Sequence, residues 1–213
     1  MPTIPPAEST EKKFLSVDAL AEALREVNED GTNEWELTNF DVGTTIPPTL
    51  EAEVERLHVL QSYDILDSDH QEAEFEYITK EAKQVFGVAI VVVSLIDLDR
   101  QWFKSINGLD AKESPRSCSF CTHVIQRQDK AYTVMVVPDA TQDVRFKDNP
   151  LVTGLGVRFY AGAPLISPEG PKLGTLCLID MIARPEGMTK AEQKRLTAMA
   201  EEVVFNMISR CHN

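Results

Sequence analysis

Arg158-Phe-Tyr-Ala-Gly-Ala-Pro-Leu-Ile166, Ser167-Pro-Glu-Gly-Pro171 and Lys172-Leu-Gly-Thr-Leu-Cys-Leu-Ile-Asp180 form one continuous stretch, and its reading decides the fold. The first and third segments are apolar on both alternating sets of positions, and the middle one holds Pro168 and Gly170. Two such arms around such a turn read as a β-hairpin covered on both faces, which places it at the centre of a sheet. Upstream, Val88 to Asp97 carries Ile90, Val91, Val92, Val93, Leu95 and Ile96 and leaves neither face polar. It is expected to be another central strand, turned back at Asp97-Leu-Asp-Arg100 into the strand Gln101-Trp-Phe-Lys-Ser-Ile106.

Helical patterns surround these strands. Leu50, Val54, Leu57 and Gln61 recur at helical spacing with Leu60 widening the stripe, and beyond a break at Asp64 to Asp69 a second helix carries Phe75, Ile78, Ala82 and Val85 and stops at Gly87. Ser117 to Gln128 reads as a short helix, Ala131 to Val137 as a strand, and Asp139 to Gly156 as a long irregular connection. A connection of that length inside a compact domain is usually functional. Thr189 and Glu192 form a capping box for a closing helix striped by Leu196, Met199, Val203 and Met207. Val204, Phe205 and Ile208 lie off that stripe, so the helix is expected to meet a second partner: the opening helix, another subunit, or both. The fold class is α+β: an antiparallel sheet of five or six strands, opening and closing helices packed on one face, and a loop-covered pocket on the other.

Length and charge bound the rest. The 213 residues hold one domain of roughly 150 residues with an extension. Residues 1–49 are assigned to an acidic, largely disordered N-terminal extension and residues 50–211 to the domain. In the extension Ser16 can cap a short helix with Val17, Leu20, Leu24 and Val27 on one stripe, and Trp35 and Phe40 keep open the alternative of a docking arm. Residues 1–50 contain ten acids and three bases out of totals of 34 and 21, so they carry −7 of the net −13. Such a charge, without a basic cluster, argues against nucleic-acid binding. The four cysteines are irregularly spaced, and there is no leader pattern and no run of about eighteen apolar residues. A cytoplasmic protein that neither crosses nor binds a membrane is expected.

The hairpin resembles the closing strands of GAF domains, the small-molecule-binding and dimerising modules of signalling proteins. The resemblance, to GAF domains of bacterial sensor kinases and cyclases, runs from about Glu55 to Asp180. It includes Tyr63-Asp-Ile-Leu-Asp67, Phe86-Gly-Val88, Val93-Ser-Leu-Ile-Asp97, Asp99-Arg-Gln-Trp-Phe-Lys-Ser105, Pro115-Arg116, Ser119-Phe-Cys121 with His123, Asp139-Ala140, Arg145-Phe146 and Asn149-Pro-Leu-Val-Thr-Gly154. It implies a pocket on one face of the sheet and helices on the other that pair in homodimers, here through residues 50–63 and 189–211. It names no ligand, because a fold does not fix a function. The chain ends soon after the closing helix, so a stand-alone domain is expected. Its output would pass through the tail, a dimer contact or a separate signalling protein.

Cys118-Ser-Phe-Cys121 puts two thiols at the start of a helix, where they could form a redox pair, whereas the resemblance places Cys121 and Cys177 where GAF domains of this group often have cysteine for packing. Adding His123 gives Cys-x-x-Cys-x-His, with Cys177 as a conceivable fourth ligand, but the second close ligand pair of a structural zinc site is missing and no metal is expected. Thr122 separates Cys121 from His123, so neither haem attachment nor covalent bilin attachment fits, and no covalent chromophore is expected.

Asp99, Arg100, Trp102 and Lys104 read as a hairpin turn and alternating strand. Arg116, Asp139, Arg145, Arg158 and Tyr160 are polar groups beside apolar strands and in the loops over the pocket. Two readings stand for them: an internal ion-pair network of Arg158 or Arg145 with Asp139 or Asp180, or arginines that grip an anionic ligand. The expected pocket lining is Phe120, Cys121, Asp139, Arg145, Phe146, Phe159, Tyr160 and Asp180. The expected function is a non-catalytic small-molecule-sensing or regulatory module, with two alternatives: a thiol enzyme resembling free methionine sulfoxide reductase, or a purely structural dimerisation module.

Overall fold

The structure, a computed structural model, describes residues 16–26, 49–69, 72–127 and 133–211. Helix α1 (Val17–Glu26) occupies the stretch read as a short capped helix, and the Ser16 Oγ accepts from the Ala19 N–H. Val27, Trp35 and Phe40 lie outside the described residues. Helices α2 (Leu50–Ser62) and α3 (Ala73–Phe86) precede the first two strands, β1 (Ile90–Ile96) and β2 (Arg100–Asn107). Then come the short strand β3 (Glu113–Pro115), a 3-10 turn over Arg116–Cys118, α4 (Phe120–Gln126), β4 (Met135–Val137) and α5 (Pro150–Thr153). The hairpin strands β5 (Phe159–Ile166) and β6 (Lys172–Asp180) and the long α6 (Lys190–Arg210) close the chain.

All six strands pair antiparallel in the order β3-β2-β1-β6-β5-β4. The centre of the sheet is therefore the β1–β6 ladder, with β5 one strand further out. Every residue of β1 is buried, as a strand covered on both faces requires. Its alternate side chains enter two separate cores. Val91, Val93 and Leu95 join Trp102, Phe159, Ala161, Leu176 and Leu178 under α3 and α6, whereas Ile90, Val92 and Ile96 join Phe103, Tyr160 and Cys177 under α4 and the long connection.

A bulge between Val93 and Ser94 makes Lys104 the extra residue on β2. It turns Lys104 into the helix layer, where its fully buried ammonium meets Glu72 at 2.6 Å and lies 5.0 Å from the centre of the Phe75 ring. Trp102 fills core volume beside it, and Arg100 pairs with the turn carboxylate Asp97 and also with Asp67 and Glu113.

The helix ends follow their sequence signals. Gly87 ends α3 in the left-handed region at φ 59°, and the Thr189–Glu192 capping box is formed in both directions. The stripe Leu196, Met199, Val203 and Met207 is buried against α3 and the sheet. On α3 one position differs: Val85 is exposed and Phe86 takes the core site instead, because the helix must still be in contact with the sheet where the chain enters β1. Two short elements, β3 and α5, lie inside stretches that carry no periodic pattern. Among the described residues no helix is long and apolar enough to cross a membrane.

The candidate functional site

The face of the sheet opposite α3 and α6 is roofed by α4 and by the connection from Asp139 to Gly156. Ser119 caps α4, its hydroxyl accepting from the Thr122 N–H, and every residue of α4 is buried. Phe120 and Cys121 leave the helix toward β5 and β6. Phe120 stacks on Phe146 with ring centroids 3.9 Å apart and tilts against Tyr160 at 5.1 Å, while His123 meets the edge of Phe146 at 4.6 Å. The structure thus brings Phe120, Cys121, Phe146 and Tyr160 together as expected residues of one site and adds His123 to them.

Tyr160 reaches the centre of this layer because its neighbour two residues on is a glycine. A Cβ at Gly162 would lie 2.3 Å from the Tyr160 hydroxyl, so the ring can lean along the strand only over a residue without a side chain. The hydroxyl then donates to the Cys121 Sγ at 3.2 Å. The same sulfur accepts from the Thr175 hydroxyl at 3.0 Å and the Gln101 amide at 3.3 Å, and the Cys177 thiol faces it at 3.8 Å. Burial works to raise the Cys121 pKa, but hydrogen bonds from Cys177, Ser94, Thr175 and Tyr160 outweigh it and bring the thiol down to about 6. The same contact pushes Cys177 well up, with burial reinforcing it, and burial likewise holds Tyr160 in its protonated, donating form.

Cys118 takes no part in this network. It ends the 3-10 turn, its thiol donates to the Pro115 carbonyl at 3.2 Å, and burial raises its pKa. The thiol that faces Cys121 is on β6, 56 residues away in sequence. Among the described residues no cluster of three or more His, Cys, Asp and Glu is placed to hold a metal.

His123 is the polar residue at the edge of the layer. Burial and the nearby Arg145 charge drive its pKa down to about 3, so the imidazole is neutral, and its Nδ1 is buried without a hydrogen-bond partner among the described residues. Arg145 lies over the Phe146 ring, 4.9 Å from its centre, and grips Asp143 through Nε and Nη2 at 2.9 and 2.6 Å. Asp139 accepts from the Thr141 N–H and hydroxyl, which shapes the start of the connection.

Two expected lining residues lie elsewhere. Phe159 pairs across the hairpin with Asp180, and both point to the helix face, one residue out of phase with Tyr160. There Asp180 faces Arg184 at 3.4 Å, and Arg184 lies over the Phe159 ring. The internal ion pairs exist, but with other partners than the spacing suggested. Arg145 holds Asp143, Arg158 donates to the carbonyls of Val152 and Val157, and Arg116 is fully buried against Glu53 at 2.7 Å. The open cleft between α2, the end of α4 and the hairpin turn, lined in part by Arg56, Gln126 and Lys172, is away from this chemistry. In this structure the site itself is filled by its own aromatic rings.

The sequence profile of the GAF domain family matches residues 70–206. This chain belongs to the GAF family. A cyclic di-GMP phosphodiesterase of Pseudomonas aeruginosa is 39% identical over 167 residues, which are 78% of this chain and 27% of that protein. The chain therefore spans about a quarter of the length of that relative. The GAF domain of an Acinetobacter phosphoenolpyruvate-protein phosphotransferase superposes with a TM-score of 0.52 at 16% identity, covering 75% of this chain and 94% of that one. The free methionine-R-sulfoxide reductase of Neisseria meningitidis, solved with its substrate, gives 0.51 at 17% identity over 76% and 92%. At such identities the two structures establish the GAF fold and nothing finer. The six-stranded sheet between a helix layer and a loop-roofed layer is the GAF architecture expected from the hairpin.

Proposed function

We propose that this chain is a regulatory GAF module that senses a small molecule under the connection from Asp139 to Gly156 and carries out no catalytic step itself. The observation that supports this reading most is His123. A neutral, buried imidazole whose Nδ1 lacks a partner among the described residues costs about 1–3 kcal/mol in a closed protein, and a ligand that supplies the partner recovers it. The ligand would enter by lifting Phe146 from Phe120, so its lining would be Phe120, Cys121, His123, Arg145, Phe146 and Tyr160, with Asp139 at the rim. Occupancy would act by favouring one packing of α2 and α6, the helices through which the module would form a homodimer. The exposed Phe205 on α6 supports that surface. The kinship to a cyclic di-GMP phosphodiesterase supports a place in signal transduction, with the output carried by another domain or a separate protein.

A thermal-shift screen with cyclic nucleotides, amino acids and small carboxylic acids tests the reading. A ligand at a hundred times its Kd adds about 2.7 kcal/mol, or roughly 5–11 °C for a domain of this size. The rise should be lost in His123→Ala. No rise with any class, or a rise that His123→Ala and Phe146→Ala leave intact, sinks the sensing site. Methionine sulfoxide with a thioredoxin-type donor belongs in the same screen, because turnover lost in Cys121→Ser would replace a regulatory module with a reductase.

A further inference from the structure

Cys121 borders the proposed sensing site, but its close approach to Cys177 and the donors gathered on its sulfur are more than lining a pocket requires. Their sulfurs are 3.8 Å apart and come from different elements, α4 and β6. A disulfide requires about 2.05 Å, so closure needs a movement of roughly 1.8 Å shared between the two side chains. The Cys121 sulfur is also the acceptor for hydrogen bonds from three other strand residues, Gln101, Tyr160 and Thr175. Donors of this kind favour the thiolate, the reactive form of cysteine. Packing alone asks for none of this, because a small apolar side chain would fill the same space. Both sulfurs are buried, which restricts any reagent to one small enough to enter on a local opening.

We propose that Cys121 and Cys177 are a peroxide-oxidised dithiol, with Cys121 as the attacking sulfur and Cys177 as the resolving one. The Cys121 thiolate attacks one oxygen of hydrogen peroxide, the O–O bond breaks, and the departing hydroxide takes up a proton to leave as water. Cys121 becomes a sulfenic acid. The Cys177 sulfur then attacks the Cys121 sulfur, the S–S bond forms as the S–O bond breaks, and the leaving hydroxide carries off the Cys177 proton as a second water. Two thiols are oxidised by two electrons and one peroxide is reduced to two waters. The product ties α4 to β6 and removes the acceptor on which Gln101, Tyr160 and Thr175 converge. A thiol reductant reverses it.

Cys118 shares a tryptic peptide with Cys121, so the test uses the full chain with Cys118→Ser and Cys211→Ser. The folded protein is treated with a few equivalents of hydrogen peroxide, alkylated with N-ethylmaleimide in denaturant, digested and analysed by mass spectrometry. The expected product joins the peptides containing Cys121 and Cys177, is two hydrogens lighter than their sum, and disappears after dithiothreitol. Tyr160→Phe, which removes one donor, should slow closure about fivefold, the worth of one ordinary hydrogen bond. Adding Cys177→Ser should leave a sulfenic acid at Cys121 that dimedone traps. The proposal is overturned if both thiols stay alkylatable at peroxide levels that oxidise Cys211 in the wild-type chain. It is equally overturned if Cys121 proceeds to sulfinic acid while Cys177 remains free. Should the Cys177→Ser protein not fold, the linked peptide in the double-serine protein decides alone.

Discussion

Replacing Glu53 by Gln perturbs a site where two guanidinium groups share a single buried carboxylate. Arg56 donates to both Glu53 oxygens at 2.9 and 2.6 Å and to the Ile96 carbonyl at 2.6 Å. Arg116, arriving from the 3-10 turn, meets the same Glu53 Oε1 at 2.7 Å and donates to the carbonyls of Asp97 and Leu98. Burial works against the Glu53 charge, but the two arginines outweigh it and hold its pKa near 2. Glutamine keeps the shape and removes the charge, leaving two buried cations uncompensated. Breaking a buried pair in this way costs about 3–5 kcal/mol, or roughly 6–20 °C of melting temperature for a domain of this size.

Linkage gives the same interaction a pH signature. A carboxyl whose pKa falls on folding stabilises fully above its unfolded value and loses that contribution as pH drops through the folded value. For Glu53 the window runs from 4.5 down to about 2 and is worth about 3 kcal/mol. Urea unfolding at several pH values, followed by far-UV circular dichroism, should show that contribution in the wild type and its absence in Glu53→Gln. Adding Arg116→Met should recover at least part of the loss, because it removes one of the stranded charges. A Glu53→Gln protein within 1 kcal/mol of wild type at pH 7 would refute the reasoning and mean that water reaches the triad.

Gly162→Ala places a methyl group 2.3 Å from the Tyr160 hydroxyl, so the ring must swing off Cys121. A loss of about 1–3 kcal/mol in chemical denaturation is expected, together with thiolate absorbance at 240 nm that titrates at higher pH than in wild type. Thr189→Ala removes the capping box of α6 and should cost about 1 kcal/mol in the same assay, with no change in the thiol titration. Phe205 is 66% exposed on α6, and Phe205→Glu should abolish self-association in sedimentation velocity while leaving the melting temperature within about 2 °C.

How far the sequence could be read follows from which interactions are local. The capping box, the Gly87 stop and the α6 stripe are set within one or two turns of helix, so spacing alone exposes them. The hairpin and β1 were legible because burial on both faces leaves no polar alternation. Spacing placed Cys118 beside Cys121, whereas the fold brings Cys177 to Cys121 through the register of β6. Phe159 and Tyr160 illustrate the same limit: they are adjacent in sequence and enter opposite cores, and only the pairing of β5 with β6 says which enters which. The Glu53–Arg56–Arg116 triad was hidden for another reason. Glu53 and Arg56 look like ordinary solvent-facing residues of an amphipathic helix until the 3-10 turn brings Arg116 against them. His123 could have been found, since it is an imidazole on a short helix with Phe120, Cys121, Val124 and Ile125, but in the pattern Cys-x-x-Cys-x-His it reads as a metal ligand.

The proposed sensing site under the connection from Asp139 to Gly156 is tested most directly by amide chemical-shift mapping of the folded chain during titration with the compounds that raise its melting temperature. Shifts concentrated in residues 120–124 and 143–149, with smaller ones propagating to α6, are expected. Shifts confined to the helix layer or to the cleft beside α2, with α4 and the connection unmoved, would contradict it.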